Sequence, residues 1–388
     1  MISRKSSHIR TRWLLAAALG SAAILAPIPS GNPLVLPARA DQDDAVPANV
    51  RQSIDLALAW LAKDQKQDGT FTQGDTAGTT AVPSLVVLAF MARGHVPGQG
   101  PYGDTLYRSI DYVLGSQQED GLICRRQNGN QVMYEHGIST VMLAEVYGMV
   151  DDTRREKIGK ALAKSAKLIL DAQAYNGKPK AMPYTGGWRY QANIQDADIS
   201  VTGWQMMALR GAANCGADIP KENLEAAREY IQRSAVPTGG FSYQPQNKAP
   251  NQARTGTGIL MMELFKGLDP KLAPGEHPKE ALAAGDWLMA RPENAPDNPS
   301  MEFYYYAIYY CSQALNQLGG KYWDTLYTGK LLPVLLAQQD QKKETPAYGS
   351  FGGSNGQEQQ AGPAYRTAMA CLALCVPYRY LPIYQNDK

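Results

Sequence analysis

The chain has 388 residues, 44% of them hydrophobic and 19% charged, with 36 Gly, 25 Pro and 22 Tyr. That apolar content excludes a disordered chain and allows one large core or two smaller ones. The formal charge of +2 conceals an asymmetry: residues 1–40 carry Arg4, Lys5, Arg10, Arg12 and Arg39 and no acid, so 33 basic and 36 acidic residues remain beyond them. A body at −3 lacks the basic surface that nucleic acid requires, and no nucleic-acid partner is expected.

The first element in chain order is an address. The basic start runs into an apolar stretch from Trp13 to Ala26, broken by Pro27 and Pro29, and Ala38-Arg39-Ala40 offers a small-x-small cleavage point. This is the build of a secretory signal peptide, expected over residues 1–40. The apolar run is shorter than the ~20 residues of a membrane-spanning helix. Cleavage would leave an exported protein, not an integral membrane one, with a short segment 41–50 ahead of the body. Five scattered cysteines, Cys124, Cys215, Cys311, Cys371 and Cys375, read as buried apolar side chains, and their redox state stays open.

The body, residues 51–384, is a repeat. Trp60-Leu61-x-x-x-Gln65-x-x-Asp68-Gly69-x-Phe71 recurs 52 residues later as Tyr112-Val113-x-x-x-Gln117-x-x-Asp120-Gly121-x-Ile123. Shorter echoes follow at Gly186-Gly187-Trp188, Gly239-Gly240-Phe241 and Gly349-Ser350-Phe351. From Phe71 to Phe351 is 280 residues, or five steps of 56, one of which lacks the turn signature; this predicts six units. Each reads as a helix, a glycine turn with an aromatic, and a second helix. First helices show 3.6-residue periodicity, as at Ile54, Leu58 and Leu61. Second helices (Ser84–Phe90, Thr140–Val146, Thr202–Leu209, Thr257–Leu264, Thr367–Leu374) are apolar nearly all round and therefore buried on every side. Six such pairs predict an all-α fold, an α/α toroid with an inner and an outer ring of helices about a central cavity.

The Gln-x-x-Asp-Gly-x-aromatic units, together with the tail from Tyr365 to Pro382, resemble the prenyltransferase and squalene-oxidase repeat family. Within it the chain is similar to exported, single-ring, squalene-cyclase-like proteins. The resemblance implies the toroid and leaves activity open, because the same repeat serves terpenoid cyclases, protein prenyltransferases and proteins without assigned activity.

Aligning the inner helices on their Thr/Leu register sets His136 and Asp198 at one level, with Arg254 one residue on. An imidazole, a carboxylate and a guanidinium at one end of a concave pocket make a candidate site. Asp196-Ala-Asp198 matches the first two acids of the squalene-hopene-cyclase-type Asp-x-Asp-Asp. That resemblance gives Asp198 the proton-donor role, although Ile199 stands where the last acid belongs. The alternative is that Asp196 or Asp198 caps the helix. Catalytic candidates are thus Asp198, Asp196 and His136. Candidates for ligand binding are Arg254, Trp188, Tyr190, Tyr304 and Tyr305, the last two from the run Tyr304-Tyr305-Tyr306-Ala-Ile-Tyr309-Tyr310. No metal is expected, for want of a ligand spacing, and no cofactor. Three functions fit: a terpenoid cyclase with Asp198 as general acid, a lyase or hydrolase acting on polyuronate or another carbohydrate, and a non-catalytic envelope protein. In each the partner is a small-molecule, lipid or oligosaccharide ligand in the central cavity, and the oligomeric state is left open.

Overall fold

The computed structural model describes residues 46–125, 131–353, 356–378 and 380–385. The signal peptide expected over residues 1–40 lies outside them. Among the described residues no helix is long and apolar enough to cross a membrane.

Six inner helices, Ala81–Ala92, Val132–Val146, Ile199–Asn214, Gln252–Leu264, Tyr304–Leu318 and Pro363–Leu374, stand side by side. Each packs against the next, and the sixth packs against the first, so the ring closes. Outer helices Ala48–Asp64, Gly103–Leu114, Asp152–Ala172, Lys221–Arg233 and Lys279–Ala290 pack against the inner ring from outside. The sixth outer position is a π-helix, Tyr322–Leu331, running into the short helix Leu332–Leu336. The expected α/α toroid is therefore the fold. Its only strands among the described residues are the two-residue pair Ala174–Tyr175 and Lys178–Pro179, joined as a hairpin.

Burial follows the sequence pattern. In the inner helix of unit three every residue from Ile199 to Leu209 is buried, whereas the outer helix of unit four buries only Ala227, Arg228, Tyr230 and Ile231. A helix buried all round has neighbours on every side, and at roughly 1.5–3 kcal/mol per large apolar side chain such helices hold most of the folding energy.

The repeated turn is a connector between units. Gln117 Nε2 donates to the Ala161 carbonyl at 3.0 Å and to Ser165 Oγ at 3.1 Å, both in the next outer helix. Gln65 reaches Thr105 and Ser109, and Gln173 reaches Asn223, in the same way. The turn aspartates cap the turn itself, Asp68 accepting from Thr70 N and Asp120 from Leu122 N, each at 3.0 Å. A second bond fastens each turn to its own inner helix: Trp188 N donates to Thr202 Oγ1, Phe241 N to Thr255 Oγ1 and Phe351 N to Thr367 Oγ1, at 3.0–3.2 Å.

Cys215, Cys311, Cys371 and Cys375 carry free thiols, and burial raises all four above the usual range.

Candidate functional site

The inner helices all begin at one face of the ring, where the connecting loops collect. Asp198 precedes the inner helix of unit three in extended conformation and caps it, its Oδ1 accepting from Ser200 N and Val201 N at 3.0 Å each. Its Oδ2 accepts from Arg189 Nη1 at 2.9 Å, and the residue has no exposed surface. Burial pushes Asp198 up to about 6, against the lowering by the Val201 amide, Arg189 and the Ser200 amide. At neutral pH it is an anion held by three donors. Asp196 flanks the same guanidinium from the other side, with Arg189 Nε 3.3 Å from its Oδ2. Its side chain is one-third exposed, and its buried Oδ1 has no hydrogen-bond partner. Of the two acids, Asp198 is the cap and Asp196 the one within reach of solvent.

Beneath these acids Lys180 is buried, its Nζ donating to the Gly187 carbonyl at 3.0 Å and the Asp196 carbonyl at 3.2 Å. Burial draws this ammonium down to about 8, against the pull of Asp196 and Asp198.

Tyrosines surround the acids. The Arg189 guanidinium lies 4.2 Å from the centre of the Tyr190 ring and 5.1 Å from that of Tyr243, and Arg254 lies 5.1 Å from the same Tyr243 ring. Tyr190 and Tyr243 join through their hydroxyls, and Tyr243 also accepts from Arg189. Tyr134 packs on Tyr190 with 5.9 Å between ring centres, and its phenol interacts electrostatically with Tyr306, Asp198 and Tyr243. Tyr365 interacts in turn with Tyr306. One half-buried tyrosine from each of units two to six (Tyr134, Tyr190, Tyr243, Tyr306, Tyr365) thus forms a collar at this mouth. Arg254 is the cation of the collar that makes no carboxylate ion pair among the described residues; Nη1 only approaches the Ala249 carbonyl at 3.4 Å.

Below the collar the axis is occupied. Trp204 of unit three reaches past the unit-four helix to stack on Tyr309 of unit five, with ring centres 5.7 Å apart and planes 5° from parallel. Tyr310 meets both edge-on. All three are fully buried. These three side chains form an aromatic floor inside the ring, where the sequence predicts a central cavity.

Four of the eight predicted site residues gather at the mouth: Asp196, Asp198, Tyr190 and Arg254. The other four do not. His136 is fully buried, with Nδ1 accepting from Ile123 N at 3.0 Å and Nε2–H facing the Ser165 carbonyl at 3.3 Å. It takes the place that Thr202, Thr255 and Thr367 hold in units three, four and six, one turn deeper than Asp198. Burial lowers it to about 4, so it is neutral at pH 7. The expected register thus gives way to the one set by the turn-to-helix bond. Trp188 is buried in the seam, its Nε1–H donating to the Ile169 carbonyl at 2.7 Å. Tyr304 is buried against Tyr305, and Tyr305 donates to the Gly352 carbonyl and packs on Phe351, so both are spent on packing within the ring. Sequence reasoning placed Arg189 beside Trp188 and Tyr190 as a lining residue but missed Tyr134, Tyr243 and Tyr365. A signal existed: Trp188-Arg189-Tyr190 and Phe241-Ser242-Tyr243 place a tyrosine two residues after the turn aromatic in consecutive units.

No family model matches the chain, and no curated protein does. Solved structures match its fold. An inactive variant of an α-1,6-mannanase from Salegentibacter sp., in complex with α-1,6-mannotriose, superposes with a TM-score of 0.57 at 11% identity, covering 84% of this chain and 99% of that one. A type II terpene cyclase from Scytonema, in complex with geranylgeranyl dihydroxybenzoate, gives 0.50 at 13% identity over 86% and 98%. An α-amylase from Clostridium perfringens gives 0.50 at 10% identity over 84% and 97%. At these identities the likeness is one of fold, an α/α toroid in each case.

Proposed function

We propose that this protein is an exported toroid of the prenyltransferase and squalene-oxidase repeat type whose tyrosine collar binds a saccharide, without a catalytic group of its own. The signal-peptide pattern of residues 1–40 supports export, and the Gln-Asp-Gly turns support the repeat family. The observation that carries the binding reading is the state of Asp198. Both its oxygens are occupied and it is shut off from solvent, so a proton donor is missing where a cyclase needs one. His136 has both ring nitrogens engaged, and with Asp198 closed off only Asp196 of the two carboxylates on Arg189 reaches solvent, whereas glycoside hydrolysis uses two. What the mouth offers is phenol rings, hydroxyls and guanidinium groups, the chemistry that stacks on and hydrogen-bonds sugar rings. The aromatic floor of Trp204, Tyr309 and Tyr310 blocks the long apolar channel that an isoprenoid chain needs. The α-1,6-mannanase of the same fold holds α-1,6-mannotriose.

Calorimetric titration of the purified protein with α-1,6-mannotriose, an oligogalacturonide and geranylgeraniol tests this reading. Saccharide binding is expected, weakened at least tenfold by Tyr243→Ala and changed less than threefold by Asp198→Asn. Binding of geranylgeraniol alone, or a saccharide affinity indifferent to Tyr243→Ala, would overturn it.

A further inference from the structure

The opposite face of the ring, where the inner helices end, carries a feature that the mouth does not explain. A cavity of about 390 Å³ opens there between the inner helices of units five and six and the C-terminal segment. Its volume falls within the usual range for small-molecule sites. Ala92, Leu372, Cys375, Val376 and Leu381 supply apolar wall, and Tyr380 and Tyr384 supply phenol rings. The remaining lining is amide: Gln313, Asn316, Gln317 and Gln385.

The first three of these amides stand at i, i+3 and i+4 on the inner helix of unit five, so they share one face. Gln313 is only 5% exposed, yet its amide makes no hydrogen bond among the described residues. Asn316, half-buried, makes none either. Gln317 Nε2 donates to the Tyr384 carbonyl at 2.7 Å, fixing one rim. A primary amide carries two donors and an acceptor, and those of Gln313 and Asn316, not spent on the protein, are open to the cavity. Two such amides lie side by side on one wall of it.

The segment closing the cavity is itself anchored. Tyr384 joins Tyr309 through their hydroxyls, Ile383 N donates to Glu145 Oε1 at 3.1 Å, and Arg210 Nη2 donates to the Gln385 carbonyl at 2.5 Å. These ties place Tyr380, Leu381 and Tyr384 as fixed walls. Among the described residues no charged side chain lines the space, so they offer an ionised ligand no counter-charge for the water it would lose.

We infer that this C-terminal-face cavity is a binding site for an uncharged, hydroxyl-rich small molecule of mono- or disaccharide size, read by the amides of Gln313 and Asn316. The site is separated from the tyrosine collar by the aromatic floor, and it does not depend on what the collar binds. Amides that both donate and accept match hydroxyl groups, and the phenol rings cover the apolar face of such a ligand.

The test is saturation-transfer NMR and calorimetry on the full chain with glucose, N-acetylglucosamine and trehalose, with glucuronate as the charged control. At least one neutral sugar is expected to bind. Its dissociation constant should rise at least tenfold in Gln313→Leu and in Leu381→Trp, which fills the cavity, and stay within threefold in Tyr243→Ala. Asn316→Ala, at a half-buried position, serves in place of Gln313→Leu if thermal melting shows that variant unfolded. The inference is overturned if no neutral sugar binds, if binding survives the cavity variants, or if glucuronate binds as tightly as the neutral sugars. Loss of binding in Tyr243→Ala with no change in Gln313→Leu would assign the sugar to the collar and also overturn it.

Discussion

Gln339 and Ser53, 286 residues apart, hold each other by a reciprocal pair of hydrogen bonds: Gln339 Nε2 donates to the Ser53 carbonyl at 2.7 Å, and Ser53 Oγ donates to Gln339 Oε1 at 2.7 Å. The pair is the same turn-to-outer-helix connector that Gln65 and Gln117 make between consecutive units, here used between the last and the first. Trp60 adds a bond from Nε1 to the Pro346 carbonyl at 2.9 Å across the same seam.

The seam depends on a glycine. Gly349 has φ +95, and a Cβ there would stand 2.5 Å from the Leu56 carbonyl oxygen of the first outer helix. Gly275, at φ +85, would meet nothing within 4 Å. Gly349→Ala therefore combines backbone strain with a backbone clash and should cost more than ~2 kcal/mol, whereas Gly275→Ala should cost ~1 kcal/mol. Urea unfolding of both variants checks the difference, and equal losses would contradict the seam as described.

Arg189, half-buried, pairs with the fully buried Asp198, and removing the guanidinium leaves that carboxylate without its counter-charge. Arg189→Ala should lose ~3–5 kcal/mol of stability. Asp198→Asn should lose less, because an asparagine still caps the helix. Chemical denaturation at pH 7 gives the order directly.

His136 occupies a threonine position of the repeat. His136→Thr should retain the bond from Ile123 N and unfold near the wild type, while His136→Ala should lose about 2–3 kcal/mol through the orphaned amide and the cavity. The histidine also brings acid sensitivity. Its folded value of about 4 lies below the ordinary 6.5, so its stabilising contribution is present above pH 6.5 and lost as pH falls towards 4. Melting curves of His136→Thr should show a flatter acid limb over that window.

Glu145 acts with the opposite sign. It is buried, Oε1 accepts from Ile383 N, and Oε2 has no partner. Burial raises it from 4.5 to about 8, so the folded state binds the extra proton and stability falls as pH rises from about 4.5 to 8. Glu145→Gln should raise the melting temperature at pH 8 by a few degrees and change it little at pH 5. A uniform shift at both pH values would contradict the assignment.

The ring was legible in the sequence because its signals are local: helical periodicity, all-round apolarity and a turn with glycine at a fixed place. The mouth was legible only in part. Asp198 and Tyr190 announce themselves beside a helix start, but the register of His136 is set by a bond from Ile123, and loops of unequal length hide that bond from residue counting. Trp188 was drawn to the site by its neighbours Arg189 and Tyr190, yet its indole is claimed by a carbonyl of the outer helix at Ile169. The aromatic floor was invisible for a related reason. Trp204 and Tyr309 lie on helices that are not ring neighbours, and no spacing in the chain encodes their stacking.

The reciprocal bonds of Gln339 and Ser53 carry a kinetic consequence. Contacts between residues 286 positions apart pay a large loop-closure entropy before they return any energy, so they form late in folding. Until they form, inner helices that are apolar on every side have water on at least one of them, and the partly built arc is prone to associate with its own copies. Assembly of this molecule should therefore be slow relative to helix formation and sensitive to protein concentration, with its yield decided at the moment the arc becomes a circle.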